Sequence, residues 1–115
     1  MAIYVRNKDL LNEMKFCKDS SLAYPDTLIE MFTLISTKLS QSYSYKVESD
    51  RQDCIQGGIM DAFQYWNRFN PQRSTNAFSY VTQIIKNGQF KVFRKLYPYS
   101  GKGFMNVSIN NIHTL

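Results

Sequence analysis

The sequence predicts an all-α fold: a compact bundle of about four helices, residues 1–98, followed by a less regular C-terminal tail, residues 99–115. Three observations carry this. Apolar residues recur at spacings of three and four along most of the chain, the period of a helix with one buried face. Helix breakers are scarce, with 5 Gly and 3 Pro among 115 residues. An aromatic content of 15% supplies bulk for a packed interior, which a disordered chain lacks. This length suits one domain with a modest core rather than two independent ones.

Asn7 is placed to cap a first helix, roughly Lys8 to Lys18, whose apolar face is Leu10, Leu11, Met14 and Cys17. Ser20 to Tyr24 then reads as a linker. Pro25 suits the first turn of a second helix, and Asp26 complements its dipole. Leu28, Phe32, Ile35 and Leu39 follow at spacings of four, three and four, so this helix runs to about Gln41. A third helix opens at Ser49 and Gln52, which match a capping box. Its core side is Ile55, Gly58, Ile59, Ala62, Trp66 and Phe69. Its outer side is Asp53, Gln56, Gly57, Met60, Gln64 and Asn67. Asn70-Pro71 ends it. A fourth helix spans about Asn76 to Leu96 and stops before Pro98; its apolar side is Phe78, Val81, Ile85, Val92 and Leu96.

Gly57 and Gly58, side by side within a helical pattern, cost local stability, about 1 kcal/mol each relative to alanine. Gly58 borders the core stripe, where a missing side chain lets a neighbouring helix approach. Gly57 falls on the outer face, where the pattern supplies no internal packing reason and suggests an approaching partner.

Several function classes are disfavoured. His113 is the lone histidine and lies in the tail, which argues against a His-dependent triad or a His-rich metal site. Asp50, Asp53 and Asp61 are spaced as surface carboxylates rather than as an acid–base pair. No phosphate-binding loop of the G-x-x-x-x-G-K-[ST] type occurs. The expectation is a protein that is not an enzyme and needs no cofactor or metal. Cys17 and Cys54 lack paired ligand spacing and read as reduced thiols buried as small hydrophobes. With no apolar run near the ~18 residues of a membrane span, and no signal pattern in MAIYVRNKD, a soluble intracellular protein without a membrane partner is expected.

The charge distribution points elsewhere. The net charge is +5, and residues 67–115 hold 7 basic and no acidic side chains, Asp61 being the last carboxylate side chain of the sequence. Such asymmetry suits a second half that faces a polyanion. On the fourth helix, opposite its apolar side, Tyr80, Gln83, Ile84, Asn87, Lys91 and Arg94 form one strip. Cations there attract phosphates, amides can bond base edges, and a tyrosine can stack on an unpaired base. The bland alternative is a tyrosine packed against a neighbouring element beside solvated lysines.

Asp53-x-x-Gln56-x-Gly58, then Phe69-Asn70-Pro71-x-Arg73, then Tyr80-x-Thr82 resembles region 2 of bacterial RNA polymerase sigma factors, without a gap from Asp53 to Lys86. Tyr4-Val5-x-Asn7-Lys8-Asp9-Leu10-Leu11 and Tyr80-Val81-Thr82-Gln83 are similar to the late-transcription sigma factors of T-even-type bacteriophages. Together the resemblance covers roughly residues 3–96. It implies a specificity factor that acts in the cytoplasm of an infected bacterial host. Its partners would be the host RNA polymerase core, through the clamp helices of the largest subunit, and an A/T-rich minus-ten-type promoter DNA element that it recognises and helps to melt. The implied polymerase contacts are Asp53, Gln56, Gly57, Met60 and Phe63. The implied DNA contacts are Tyr80, Gln83, Ile84, Lys86, Asn87, Lys91, Arg94 and Lys95, with Tyr80 stacking on a flipped adenine and Lys86 and Asn87 near the upstream edge.

Departures from the pattern have consequences. Gln83-Ile84 stands where housekeeping sigma factors carry a Trp-Trp pair, which implies weaker unaided melting, with Ile84 as the only candidate wedge. Gly57 stands where they carry Glu. No helix-turn-helix follows residue 96, so the resemblance implies dependence on a phage co-activator or DNA sliding clamp, with FMNVSINNIHTL as a candidate contact. Two other readings stay open: a helical polymerase-binding adaptor that does not read DNA, and a generic basic DNA-binding module.

Overall fold

The computed structural model describes residues 4–20 and 26–98. The linker after Ser20, Pro25 and the tail at 99–115 lie outside the described residues. Helices α1 (Asn7–Ser20), α2 (Asp26–Ser40), α3 (Glu48–Tyr65) and α4 (Ala77–Leu96) form an all-α bundle, with a 3-10 turn, Trp66–Arg68, closing α3. The described residues contain no strand. The predicted helices are all present, with ends shifted by a residue or two except at the C-terminus of α3, which gives way to the 3-10 turn at Trp66 rather than running to Asn70.

The periodic apolar positions do become the core. Leu10, Met14 and Cys17 of α1 and Leu28, Phe32, Ile35 and Leu39 of α2 are buried. They pack with Ala62 in the last turns of α3, with Trp66 and Phe69 just beyond it, and with Val81 and Ile85 of α4. Both thiols are free and buried, and burial pushes Cys17 and Cys54 up to about 11, which leaves them unreactive at neutral pH. A second apolar cluster, not foreseen as separate, joins Tyr43, Cys54, Phe93 and Tyr97 at the far end of the bundle. Tyr43 stacks on Phe93 with ring centroids 4.9 Å apart. The Tyr97 hydroxyl donates to Asp50 and accepts from the Lys46 backbone N–H at 2.9 Å, tying the α2–α3 connection to the end of α4.

Both capping expectations require correction. Val47, not Ser49, is the N-cap of α3 and makes no side-chain cap bond, while Gln52 donates to Glu48 Oε2 at 2.8 Å. The cap lies two residues earlier than expected because Glu48, at the positive end of the dipole, organises the first turn through Gln52 and Arg51. Asn7 does not cap its own helix; it caps α4. Its Oδ1 accepts from the Phe78 backbone N–H at 2.9 Å and its Nδ2 donates to the Thr75 carbonyl at 2.9 Å. Asn76 completes that end by accepting from Ser79 N–H at 3.1 Å. Asn7→Ala is therefore expected to lower stability by about 1–2 kcal/mol although the residue is exposed, as one lost cap plus one lost bridge would. Thermal unfolding of Asn7→Ala against a neighbouring surface change such as Lys8→Ala checks this.

Helices α3 and α4 run antiparallel: Asp50 meets Tyr97, Asp61 meets Lys91, and the Tyr65 carbonyl meets Tyr80. At their crossing three glycines touch. A Cβ at Gly88 would lie 2.6 Å from the Gly57 carbonyl oxygen and 3.0 Å from Gly58 Cα. At Gly58 it would meet Ser36 Oγ at 2.7 Å and Ile85 Cγ2 at 2.8 Å. Gly57 is the correction. Expected on the outer face, it turns towards α4, where a Cβ would lie 2.6 Å from Val92 Cγ2 and 3.2 Å from the Gly88 carbonyl oxygen. The close helix approach explains it, without a partner.

Beside this crossing lies a buried polar bridge. Gln89 Nε2 donates to the Ser36 carbonyl and hydroxyl oxygens, each at 2.7 Å, and Ser36 Oγ donates to the Ile55 carbonyl at 2.8 Å. One chain of bonds thus fixes α2, α3 and α4 against one another.

Candidate functional site

On α3, Asp53, Gln56, Met60 and Phe63 are all exposed and recur at spacings of three, four and three, so they form one outward stripe. Met60 is 61% and Phe63 42% exposed, which makes this an apolar surface on a helix whose other face is already packed. Four of the five residues assigned to polymerase contact are therefore brought together. Gly57 is not among them, since it lies in the α3–α4 contact.

On α4, the expected strip divides. Gln83, Asn87, Lys91, Arg94 and Lys95 are exposed. Gln83 Nε2 donates to Asn87 Oδ1 at 3.0 Å, which aligns two amides along the helix surface. The Arg94 guanidinium lies 5.7 Å from the centre of the Phe90 ring. Lys91 Nζ pairs with Asp61 at 2.7 Å, and that bond raises the lysine's pKa. Asp61, read from the sequence as a surface carboxylate, thus partly neutralises one of the predicted cations.

Tyr80 and Ile84 depart from expectation. Tyr80 is half-buried: its ring packs on Phe69 with centroids 5.2 Å apart, and its hydroxyl donates to the Tyr65 carbonyl at 3.1 Å. Burial raises its phenol pKa. It is no open stacking platform, because the end of α3 returns across α4 and covers it. Ile84, expected outward as a wedge, is half-buried against the main core. Lys86 is also half-buried, and desolvation lowers its pKa.

Sequence reasoning missed the surroundings on both sides of α4. Towards α3, Arg68 lies over the Tyr65 ring at 4.7 Å from its centre. Towards α2, a groove of about 660 Å³ is lined by Tyr4, Lys38, Phe78, Thr82, Gln83 and Lys86 among others. No local signal announces either, since each joins residues from separate elements. Among the described residues no group of three His, Cys, Asp or Glu is placed to hold a metal ion, and no helix is long and apolar enough to cross a membrane.

No protein-family model, known curated protein or solved structure matches the chain.

Proposed function

We propose that the protein is a sigma-like specificity factor of phage late transcription. It binds core RNA polymerase through the outward stripe of α3 and engages an A/T-rich minus-ten-type promoter strand with the basic, amide-bearing face of α4. The observation that carries this reading is the pairing of the two faces. An exposed apolar–amide stripe and a cation–amide surface sit on adjacent antiparallel helices held at fixed separation by the glycine crossing. A polymerase gripping Met60 and Phe63 then fixes where Gln83, Asn87, Arg94 and Lys95 meet DNA. The sequence resemblance over Asp53 to Lys86 runs through both helices.

In this mechanism Arg94 and Lys95 neutralise phosphates, and the Gln83–Asn87 amides face base edges. Stacking on Tyr80 requires release of its bond to the Tyr65 carbonyl, a net cost of about 0.5–1.5 kcal/mol. With Ile84 held against the core, strand opening falls mainly to the polymerase and a co-activator or sliding clamp. The site of action is the cytoplasm of an infected bacterium.

The test is transcription by purified protein plus core polymerase on an A/T-rich template. Transcripts starting at one defined site are expected; random starts equal to core polymerase alone would refute the proposal. In the same complex, Arg94→Ala with Lys95→Ala should weaken promoter binding at all sequences and lower the salt slope by about one to two.

The covered position of Tyr80 favours a second reading, a polymerase-binding adaptor that does not read DNA. Polymerase binding without any change in start-site choice would select it.

A further inference from the structure

We infer that Asp61 is an internal competitor for phosphate: it holds Lys91 back from DNA, so that α4 meets the strand backbone at Arg94 and Lys95 and leaves its middle turns to Gln83 and Asn87. The inference rests on the reading of α4 as a strand-binding helix and adds to it a residue of α3, a helix that carries no assigned DNA role.

Lys91 lies on the exposed strip of α4, four residues after Asn87 and three before Arg94, so unpaired it would face the same strand. Its Nζ instead meets Asp61 at 2.7 Å, across the contact between α3 and α4. The two partners differ in freedom. The Asp61 side chain is 17% exposed and that of Lys91 64%. Asp61 is seated beside the glycine crossing, its Cβ 3.1 Å from where a Cβ on Gly88 would lie. The carboxylate is therefore a fixed anion and the ammonium a mobile cation. Their hydrogen bond raises the lysine's pKa, so Lys91 stays charged at neutral pH and is masked by pairing, not by loss of a proton.

Helix packing does not account for the pair. A lysine this exposed gains little stability from one ion pair, because water screens it. The glycine crossing and the Gln89–Ser36–Ile55 bridge already hold α3 against α4. Other carboxylates of α3 are engaged elsewhere: Glu48 pairs with Arg51 in its own helix, Asp50 accepts from the Tyr97 hydroxyl, and Asp53 lies on the outward stripe. Asp61 faces a part of the chain, residues 67–115, that holds 7 basic and no acidic side chains. A weak, exposed pair suits a competitor. Phosphate can displace it, but a phosphate at Lys91 must first break the pair and then sit beside a fixed negative charge. Backbone contacts drive sequence-independent binding, whereas amides at base edges select sequence. Withholding one cation from the middle of the strip lowers the first and spares the second.

The experiment follows the anisotropy of a fluorescent, mixed-sequence DNA single strand across a salt series, with the full chain alone and bound to core polymerase. Asp61→Asn keeps the size of the side chain and removes its charge. It should bind the strand roughly three- to tenfold more tightly at low salt, with a salt slope steeper by about 0.7, the increment for one phosphate on a single strand. Lys91→Ala should change binding by less than about twofold in the wild-type background, yet return Asp61→Asn to the wild-type affinity and slope. Asp53→Asn, measured in the unbound chain, removes the same charge from the outward stripe and should leave the slope unchanged. If the wild-type protein binds the strand and Asp61→Asn shows the same affinity and slope, the role of Asp61 is overturned while the strand-binding reading stands. Tighter binding by Asp61→Asn that Lys91→Ala does not reverse, or that Asp53→Asn reproduces, reduces the effect to net charge and overturns it too. If neither the wild type nor Asp61→Asn binds the strand in either setting, the strand-binding reading falls and this inference with it.

Discussion

Gly88→Val is expected to destabilise the protein by about 3 kcal/mol, the upper end for an overpacked interior, and to lower the thermal midpoint by roughly 12 °C or more. The reason is what the new Cβ would strike: the Gly57 carbonyl oxygen at 2.6 Å, Gly58 Cα at 3.0 Å and Asp61 Cβ at 3.1 Å. Two of these are backbone atoms, so no rotamer change relieves the contact. The helices must separate, which also loosens the Gln89–Ser36–Ile55 bridge beside the crossing. Gly88→Ala sets two effects against each other, since alanine favours a helix by about 1 kcal/mol. Overpacking should win there, by a smaller margin. Gly57→Ala should be milder, because its nearest neighbour is a Val92 methyl on a half-buried side chain. Equilibrium denaturation of the three variants gives the order; a Gly88→Ala protein more stable than wild type would mean the crossing is looser than described.

Met60→Ala with Phe63→Ala should reduce affinity for core polymerase by about 3 kcal/mol, roughly a hundredfold, while leaving thermal unfolding unchanged. Both side chains are exposed, so the fold does not depend on them, whereas two adjacent apolar anchors commonly dominate an interface of this kind. Co-purification and titration with core polymerase measure the first quantity, and calorimetry the second. Full polymerase binding by a folded double variant would remove the role assigned to the α3 stripe. Gly57→Glu makes a useful contrast. Because Gly57 faces α4, placing a glutamate there should cost stability first, and any loss of polymerase binding should follow the loss of fold.

The sequence by itself determined the helices, most of the core and the outward stripe of α3. Each follows from a repeat of three and four residues that one short segment can display: Leu28, Phe32, Ile35 and Leu39 are buried, and Asp53, Gln56, Met60 and Phe63 are exposed together. It also separated a carboxylate-free second half from the rest. The tertiary structure alone decided which neighbour each side chain meets. Asn7 has the composition of a cap, but only the packing of α1 beside α4 says whose helix it caps. Gly57 points away from the main core stripe by periodicity, yet α4 wraps far enough around α3 to cover it. Tyr80 reads as a surface residue on a helical wheel and is covered by Phe69, eleven positions earlier. The groove joining Tyr4, Lys38 and Thr82 brings together three elements and has no sequence period at all. A helical repeat reports the direction of a side chain from its own axis; what lies in that direction is set by long-range packing, which a local pattern does not encode.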